Sequence, residues 1–214
     1  PARERQPEPG SRIRRQMPIR TLTLLSLLLW AFHISAQSSR KPVLVYVPSS
    51  KGFVRGQTDG TIDRFLGVPY AAPPVGDLRW KAPAAPPQWS GIRDAMAFGN
   101  QCFQIRTGSG STSGSEDCLY LNVYRPANAE PGRLLPVFIF IHGGSNQNGA
   151  GSDYDPSAMA AGGMIVVTIN YRLNVFGYLA LPSLDAESGE PSSGNFGFLD
   201  QQAAMRWVCE NILA

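Results

Sequence analysis

Residues 135–145 read LPVFIFIHGGS. The seven positions from Leu135 to Ile141 carry no polar side chain, and a His-Gly-Gly-Ser turn follows at once. An apolar run of this length predicts a strand buried on both faces of a sheet. Residues 164–169, MIVVTI, predict a second strand of the same kind. Between the two, Asp155-Pro156 predicts a helix start, with Asp as N-cap and Pro at the first helical position. Gly162-Gly163 ends that helix. Downstream, Leu199, Ala203, Trp207, Val208 and Ile212 recur at helical spacing, with Asp200, Gln201, Arg206 and Glu210 between them. That pattern predicts an amphipathic helix lying on a sheet. Buried strands alternating with helices predict an α/β layer architecture around a largely parallel sheet.

Upstream of this centre the chain predicts shorter strands. Residues 43–47 alternate and read as strand, 48–52 as a turn, and 61–70 as a second short strand. Pro73, Pro74 and Gly76 open an extended loop region that runs past Trp89 to Cys102. Residues 119–124 read as strand, stopped by Pro126. These early strands are expected to form a small antiparallel edge. No internal repeat is visible.

The first 36 residues have a different character. Arg3, Arg5, Arg12, Arg14, Arg15 and Arg20 stand there against Glu4 and Glu8, which leaves 13 basic and 14 acidic residues from position 37 onward. The net charge of +3 therefore belongs to the leader, and the remainder has no basic run that would capture nucleic acid. After Met17 come Arg20, the apolar run 22–32 and a small residue at Ala36. A positive start, an apolar stretch and a small terminal residue form a secretory signal, with cleavage expected after Ala36. The alternative is a membrane anchor, for which the run is short, since spanning takes ~20 apolar residues. Residues 1–16 read as untranslated leader or as an extended basic start. The expected organisation is thus a leader over 1–36 and a folded portion over 37–214, secreted or periplasmic and free of the membrane after cleavage.

Export permits disulfides. Cys102 and Cys118 flank a Gly/Ser stretch, 108–115, that is flexible enough to let them meet. Closing a loop of that size constrains the unfolded chain by roughly 3 kcal/mol in the entropic account. Cys209 lies in the helical pattern beside Trp207 and Val208 and reads as a small buried residue.

Five segments, in order, resemble the type-B carboxylesterase family, which includes the cholinesterases. They are FLGVPYAAPPVG with LRW at 65–80, EDCLYLNVYRP at 116–126, HGG at 142–144, NYRL with FG at 170–177, and GNFG through LDQ to RWV at 194–208. The resemblance covers the chain from about residue 43 to its end. It implies an α/β-hydrolase fold, and a small-molecule carboxylic ester as the substrate of the full-length protein. It also implies a disulfide between Cys102 and Cys118, and ion pairs Arg79–Glu116 and Arg172–Asp200 tying loops to the sheet. Finally, it makes the turn at Gly143, Gly144 and Ser145 the oxyanion hole, with the N–H groups of Gly144 and Ser145 as donors. Ser145 stands where many family members have Gly or Ala.

Ester hydrolysis by such a fold needs a nucleophile, a base, an acid that orients the base, and backbone donors for the developing negative oxygen. A glycine turn after a central strand suits the last of these, because glycine lets the backbone approach closely. The nucleophile elbow, G-x-S-x-G, occurs nowhere in the sequence. The histidines are His33, in the leader, and His142, whose place before the turn predicts a structural role. The resemblance implies that the elbow, acid and base follow residue 214, so the 214-residue chain is expected to be inactive alone. No cofactor is expected. The His, Cys, Asp and Glu residues do not cluster as metal ligands do, and no phosphate-binding glycine motif stands between a strand and a helix. Asp153 and Asp155 are expected to cap the helix at Pro156. Two rivals to the esterase reading remain. One is a non-catalytic, cholinesterase-like adhesion ectodomain, which would have no need of oxyanion donors. The other is a short chain that is itself the product, with a long apolar strand edge left unpaired. The sequence does not specify the oligomeric state.

Overall fold

The computed structural model describes residues 40–105, 110–130, 132–188 and 193–212. The leader expected over 1–36 lies outside the described residues. Strands β1 (Lys41–Val47), β2 (Gly52–Thr58), β3 (Ile62–Pro69), β4 (Ile92–Asp94), β7 (Tyr120–Pro126), β8 (Val137–Ile141) and β9 (Ile165–Ile169) form one sheet. Its order is β1-β2-β3-β7-β9-β8, with β4 added beside β2. Two further short strands, β5 (Gln104–Ile105) and β6 (Thr112–Ser113), pair separately. The helices are α1 (Ser157–Ala161), α2 (Asn174–Tyr178), α3 (Pro182–Ser188) and α4 (Phe196–Asn211). None of the described helices is long and apolar enough to cross a membrane.

Pairing is antiparallel from β1 through β9 along this order, and parallel where β8 joins β9 and where β4 joins β2. The antiparallel region thus reaches well past the early strands, and parallel strand pairing among the described residues is confined to β8 with β9 and the short β4 with β2. Two layers of side chains cover the sheet. Val54, Phe65, Val68, Leu121, Val123, Val167 and Ile169 pack with Ala204, Trp207 and Val208 of α4. Ile62, Leu66 and Tyr124 pack with Ala160 of α1. Successive residues Val123 and Tyr124 thereby serve opposite clusters, as the period of a strand requires.

The sequence pattern does not predict strand β2: it gives a turn at 48–52 and the next strand at 61–70. Its inward positions explain the miss. Gly52, Val54 and Gly56 face the interior, so two of three carry no side chain and leave no apolar alternation to read. The space is taken by neighbours: a Cβ at Gly56 would press on the Phe65 ring, and one at Gly52 on Trp89.

Strand β8 also departs from expectation. Its apolar run predicts burial on both faces, yet Val137, Phe138 and Ile141 are 39%, 45% and 37% exposed. The reason is its position, since β8 pairs only with β9 and is the last strand of the described sheet. The other apolar strand, β9, sits between β7 and β8 and is buried from Val166 to Ile169. Periodicity identified both strands but could not say which lies at an edge.

The first helix begins one residue later than expected. Asp155 accepts hydrogen bonds from both the N–H and the hydroxyl of Ser157, the first residue of α1. Asp153 instead accepts from the N–H of Ala150 at 2.9 Å. The last helix turns a different face to the sheet than the apolar spacing alone suggests. Its buried residues include Phe196, Asp200, Ala204, Trp207, Val208 and Asn211. Cys209 points away from this stripe and is exposed, not buried. Neighbours at consecutive helical positions diverge by about 100°, so flanking Trp207 and Val208 do not bury it.

Candidate active site

The sheet delivers its central loops to one place. Strand β8 ends at Ile141, and the chain then passes through His142, Gly143, Gly144 and Ser145. Gly144 has φ 115°, and a Cβ there would overlap the carbonyl oxygen of Asn148. Only glycine fits that position. Ser145 and Asn146 follow with φ 56° and 59°, a left-handed conformation that costs energy in residues bearing a Cβ. Gly144 O accepts hydrogen bonds from the N–H groups of Gln147 (2.9 Å) and Asn148 (3.2 Å) and closes the turn. The N–H groups of Gly144 and Ser145 have no hydrogen-bond partner among the described residues, and both positions are exposed. Consecutive unpaired backbone donors just past the end of a strand can receive an anionic oxygen.

His142 braces the turn from within. It is 3% exposed, its ring stacks on Tyr171 at 4.4 Å between centroids, and its Nδ1–H donates to Gly143 O at 2.9 Å. Burial pushes its pKa below the ordinary 6.5, against smaller upward pulls from the Gly143 carbonyl and from Asp153. Nε2 is buried without a hydrogen-bond partner among the described residues. The Tyr171 hydroxyl donates to the carbonyl of His142 at 2.8 Å. The imidazole is thus packed as part of the scaffold.

The segment around Cys102 packs against the same turn. Cys102 and Cys118 form a disulfide, with S–S 2.05 Å. Gln104 is 7% exposed and lies two residues after Cys102. Its side-chain oxygen accepts from Gly149 N–H at 2.9 Å, and its side-chain nitrogen donates to Gly149 O at 3.2 Å and to Cys102 O at 3.1 Å. Asn174 approaches from the start of α2. Its backbone N–H donates to Asn146 O at 2.8 Å, and its side-chain nitrogen donates to Gln147 O at 2.8 Å and Phe103 O at 3.3 Å. Nothing in the sequence marks either amide, because each works through contacts tens of residues away.

The charged residues singled out from the sequence form two pairs. Arg79 meets Glu116 with both carboxylate oxygens engaged, at 2.5 and 2.7 Å, in a partly exposed position. Arg172 meets Asp200 at 2.8 and 2.7 Å through its side chain and 3.0 Å through its backbone N–H. The second pair is fully enclosed, at 3% and 0% exposed. It joins the segment after β9 to the first turns of α4. Gly197 allows that approach, since a Cβ there would lie 2.7 Å from Arg172 O. Burial raises the Asp200 carboxyl pKa, while Arg172 pulls it down; the net direction is upward. Asn122 does similar work in the sheet. Its side chain accepts from Gly67 N–H at 3.0 Å, where the β3–β7 register shifts, and donates to the Thr168 hydroxyl at 2.9 Å.

Comparison with known proteins agrees with this architecture. The sequence model of the carboxylesterase family matches residues 38–214. The chain belongs to that family. Members of this carboxylesterase family hydrolyse carboxylic esters. The chain is similar to a fumonisin B1 esterase of Sphingopyxis macrogoltabida, with 44% identity over 87% of this chain and 36% of that one. It is similar to a para-nitrobenzyl esterase of Bacillus subtilis, with 46% identity over 78% and 35%. A solved structure of PNB esterase superposes with a TM-score of 0.70 at 46% identity, over 80% of this chain and 35% of that one. The described sheet and helices are therefore part of an α/β-hydrolase fold. The chain spans about a third of the length of the curated relatives it matches.

Proposed function

We propose that this carboxylesterase-family chain supplies the oxyanion hole of a secreted serine ester hydrolase. The N–H groups of Gly144 and Ser145 hold the negative oxygen of the tetrahedral intermediate. The observation that carries the reading is that these two amides, just past the end of β8, are spent on no hydrogen bond among the described residues. Donors fixed before the reaction need no reorganisation as charge develops, and removing one such donor costs ~100- to 1000-fold in turnover. The serine nucleophile, its histidine base and the orienting acid come from sequence other than these 214 residues, in which G-x-S-x-G is absent. The substrate is a small carboxylic ester. The basic, apolar start of the chain supports export, and a disulfide is at home in that compartment.

The test is p-nitrophenyl butyrate hydrolysis by the complete natural polypeptide and by the 214-residue chain. The complete protein is expected to turn over and to lose activity on labelling with an organophosphate. The 214-residue chain is expected to stay at background. A complete protein that neither hydrolyses esters nor takes the label refutes the reading and leaves the non-catalytic adhesion ectodomain in its place.

A further inference from the structure

We propose that Gln104 and Asn174 are positioning residues that set the oxyanion turn from opposite ends, with the disulfide-bonded segment as their anchor. The inference rests on the ester-hydrolase reading above. The argument begins with the turn's own weakness. Within it, Gly144 O takes the bonds from Gln147 and Asn148, and two successive residues with side chains are held in left-handed conformations. Such a segment relaxes unless its surroundings over-determine it.

The two amides provide that constraint. Gln104 engages both the N–H and the C=O of Gly149, so it fixes the peptide planes on either side of that residue. Gly149 has φ 111°, and a Cβ there would lie 2.5 Å from His142 Nδ1. The clamp therefore also keeps the chain pressed against the imidazole that carries the start of the turn. Asn174 takes the carbonyls of Asn146 and Gln147, the two that follow the oxyanion donors. Both clamps reach back to one short stretch, Gln104 to Cys102 O and Asn174 to Phe103 O. Cys102 is bonded to Cys118, which directly precedes the core residues Leu119 and Leu121. The turn is thereby referred to the sheet by a covalent route as well as by β8. Gln104 is buried with its amide fully engaged, so its loss leaves Gly149 N–H unpaired in a part-buried position.

The experiment uses the complete polypeptide with three variants. Gln104→Leu keeps the size and removes all three side-chain hydrogen bonds, two to Gly149 and one to Cys102 O. Asn174→Gly keeps the left-handed backbone and removes the side-chain bonds. Gln104→Glu is the graded case. Its protonated carboxyl offers a donor and an acceptor as the amide does, and its carboxylate offers acceptors alone. Gln104→Leu is expected to lower kcat ~10- to 100-fold with KM within ~2-fold, and to weaken binding of a boronic acid transition-state analogue in parallel. Asn174→Gly is expected to act in the same direction. Gln104→Glu is expected to approach wild-type kcat at low pH and to fall away from it as the carboxyl ionises. Hydrogen exchange over 143–149 is measured alongside and is expected to accelerate in Gln104→Leu and Asn174→Gly. Unchanged kcat in an active Gln104→Leu protein overturns the proposal, as does a loss carried by KM with analogue affinity intact. If the wild type shows no ester hydrolysis, the functional reading fails. Exchange then decides the clamp alone: acceleration upholds it, and wild-type rates overturn it.

Discussion

Removing the guanidinium of Arg172 should unfold this part of the protein, and the size of the effect should depend on pH. Arg172 and Asp200 are 3% and 0% exposed, and three hydrogen bonds join them. Arg172→Ala deletes two of the three and keeps the backbone N–H. It also removes the guanidinium carbon lying 5.5 Å from the Phe196 ring centroid. A buried carboxylate that loses its partner costs about 3–5 kcal/mol. That is a large part of the ~5–15 kcal/mol by which a domain is stable. The carboxyl can escape the penalty by taking a proton. Burial already raises the Asp200 pKa, and without Arg172 it rises further. An acid that holds its proton more tightly when folded favours folding at low pH and loses that contribution as pH rises through the folded pKa. The variant's deficit should therefore grow as pH rises above the ordinary carboxyl range of about 4. The assay is urea unfolding of the complete polypeptide from there to about pH 8, together with the yield of soluble protein, which should collapse. Replacing both partners with apolar residues, Arg172→Met with Asp200→Leu, should recover much of the loss, because no charge is then stranded. A deficit below about 1 kcal/mol at pH 8, the level of an exposed pair, would refute the reasoning. So would one that does not change with pH.

Gly144→Ala should lower turnover of p-nitrophenyl butyrate by ~100-fold or more, because the added Cβ overlaps Asn148 O and φ 115° suits glycine alone; wild-type kcat in a folded variant would count against the turn as the donor site. Burial holds the His142 pKa below 6.5, so its contribution to stability is complete above that value and is lost as pH falls through the folded pKa. His142→Gln should flatten the stability profile below pH 6.5, read as urea midpoints against pH, and an unchanged slope would show that another group titrates there.

The glycine turn was legible in the sequence, and the neutral amides that hydrogen-bond to it were not. His142-Gly143-Gly144-Ser145 announces itself because a glycine turn directly follows an apolar run. Arg172 and Asp200 are visible only through the family resemblance; by helical spacing Asp200 counts as one of the polar residues between apolar positions, whereas the structure buries it completely. The exposure of β8 depends on which strands pair on either side, and that is a property of sheet order, not of its own residues. Strand β2 is hidden because glycines occupy inward positions that a reader expects to be branched or aromatic. Gln104 and Asn174 are neutral amides in irregular segments. Their meaning appears only when contacts across 27 to 71 residues are drawn.

The His142–Ser145 turn lies in the connection between β8 and β9, which run parallel. Parallel neighbours cannot be joined by a tight hairpin, so the chain must travel out over the sheet and return before they meet. Such distant pairing forms slowly, because its closure entropy is spent before contacts reward it. In refolding, the hairpin of β1 and β2 should gain its structure early, while residues 142–149 should wait for β9 to settle between β7 and β8. Recovery of the turn should lag behind recovery of the strands that surround it.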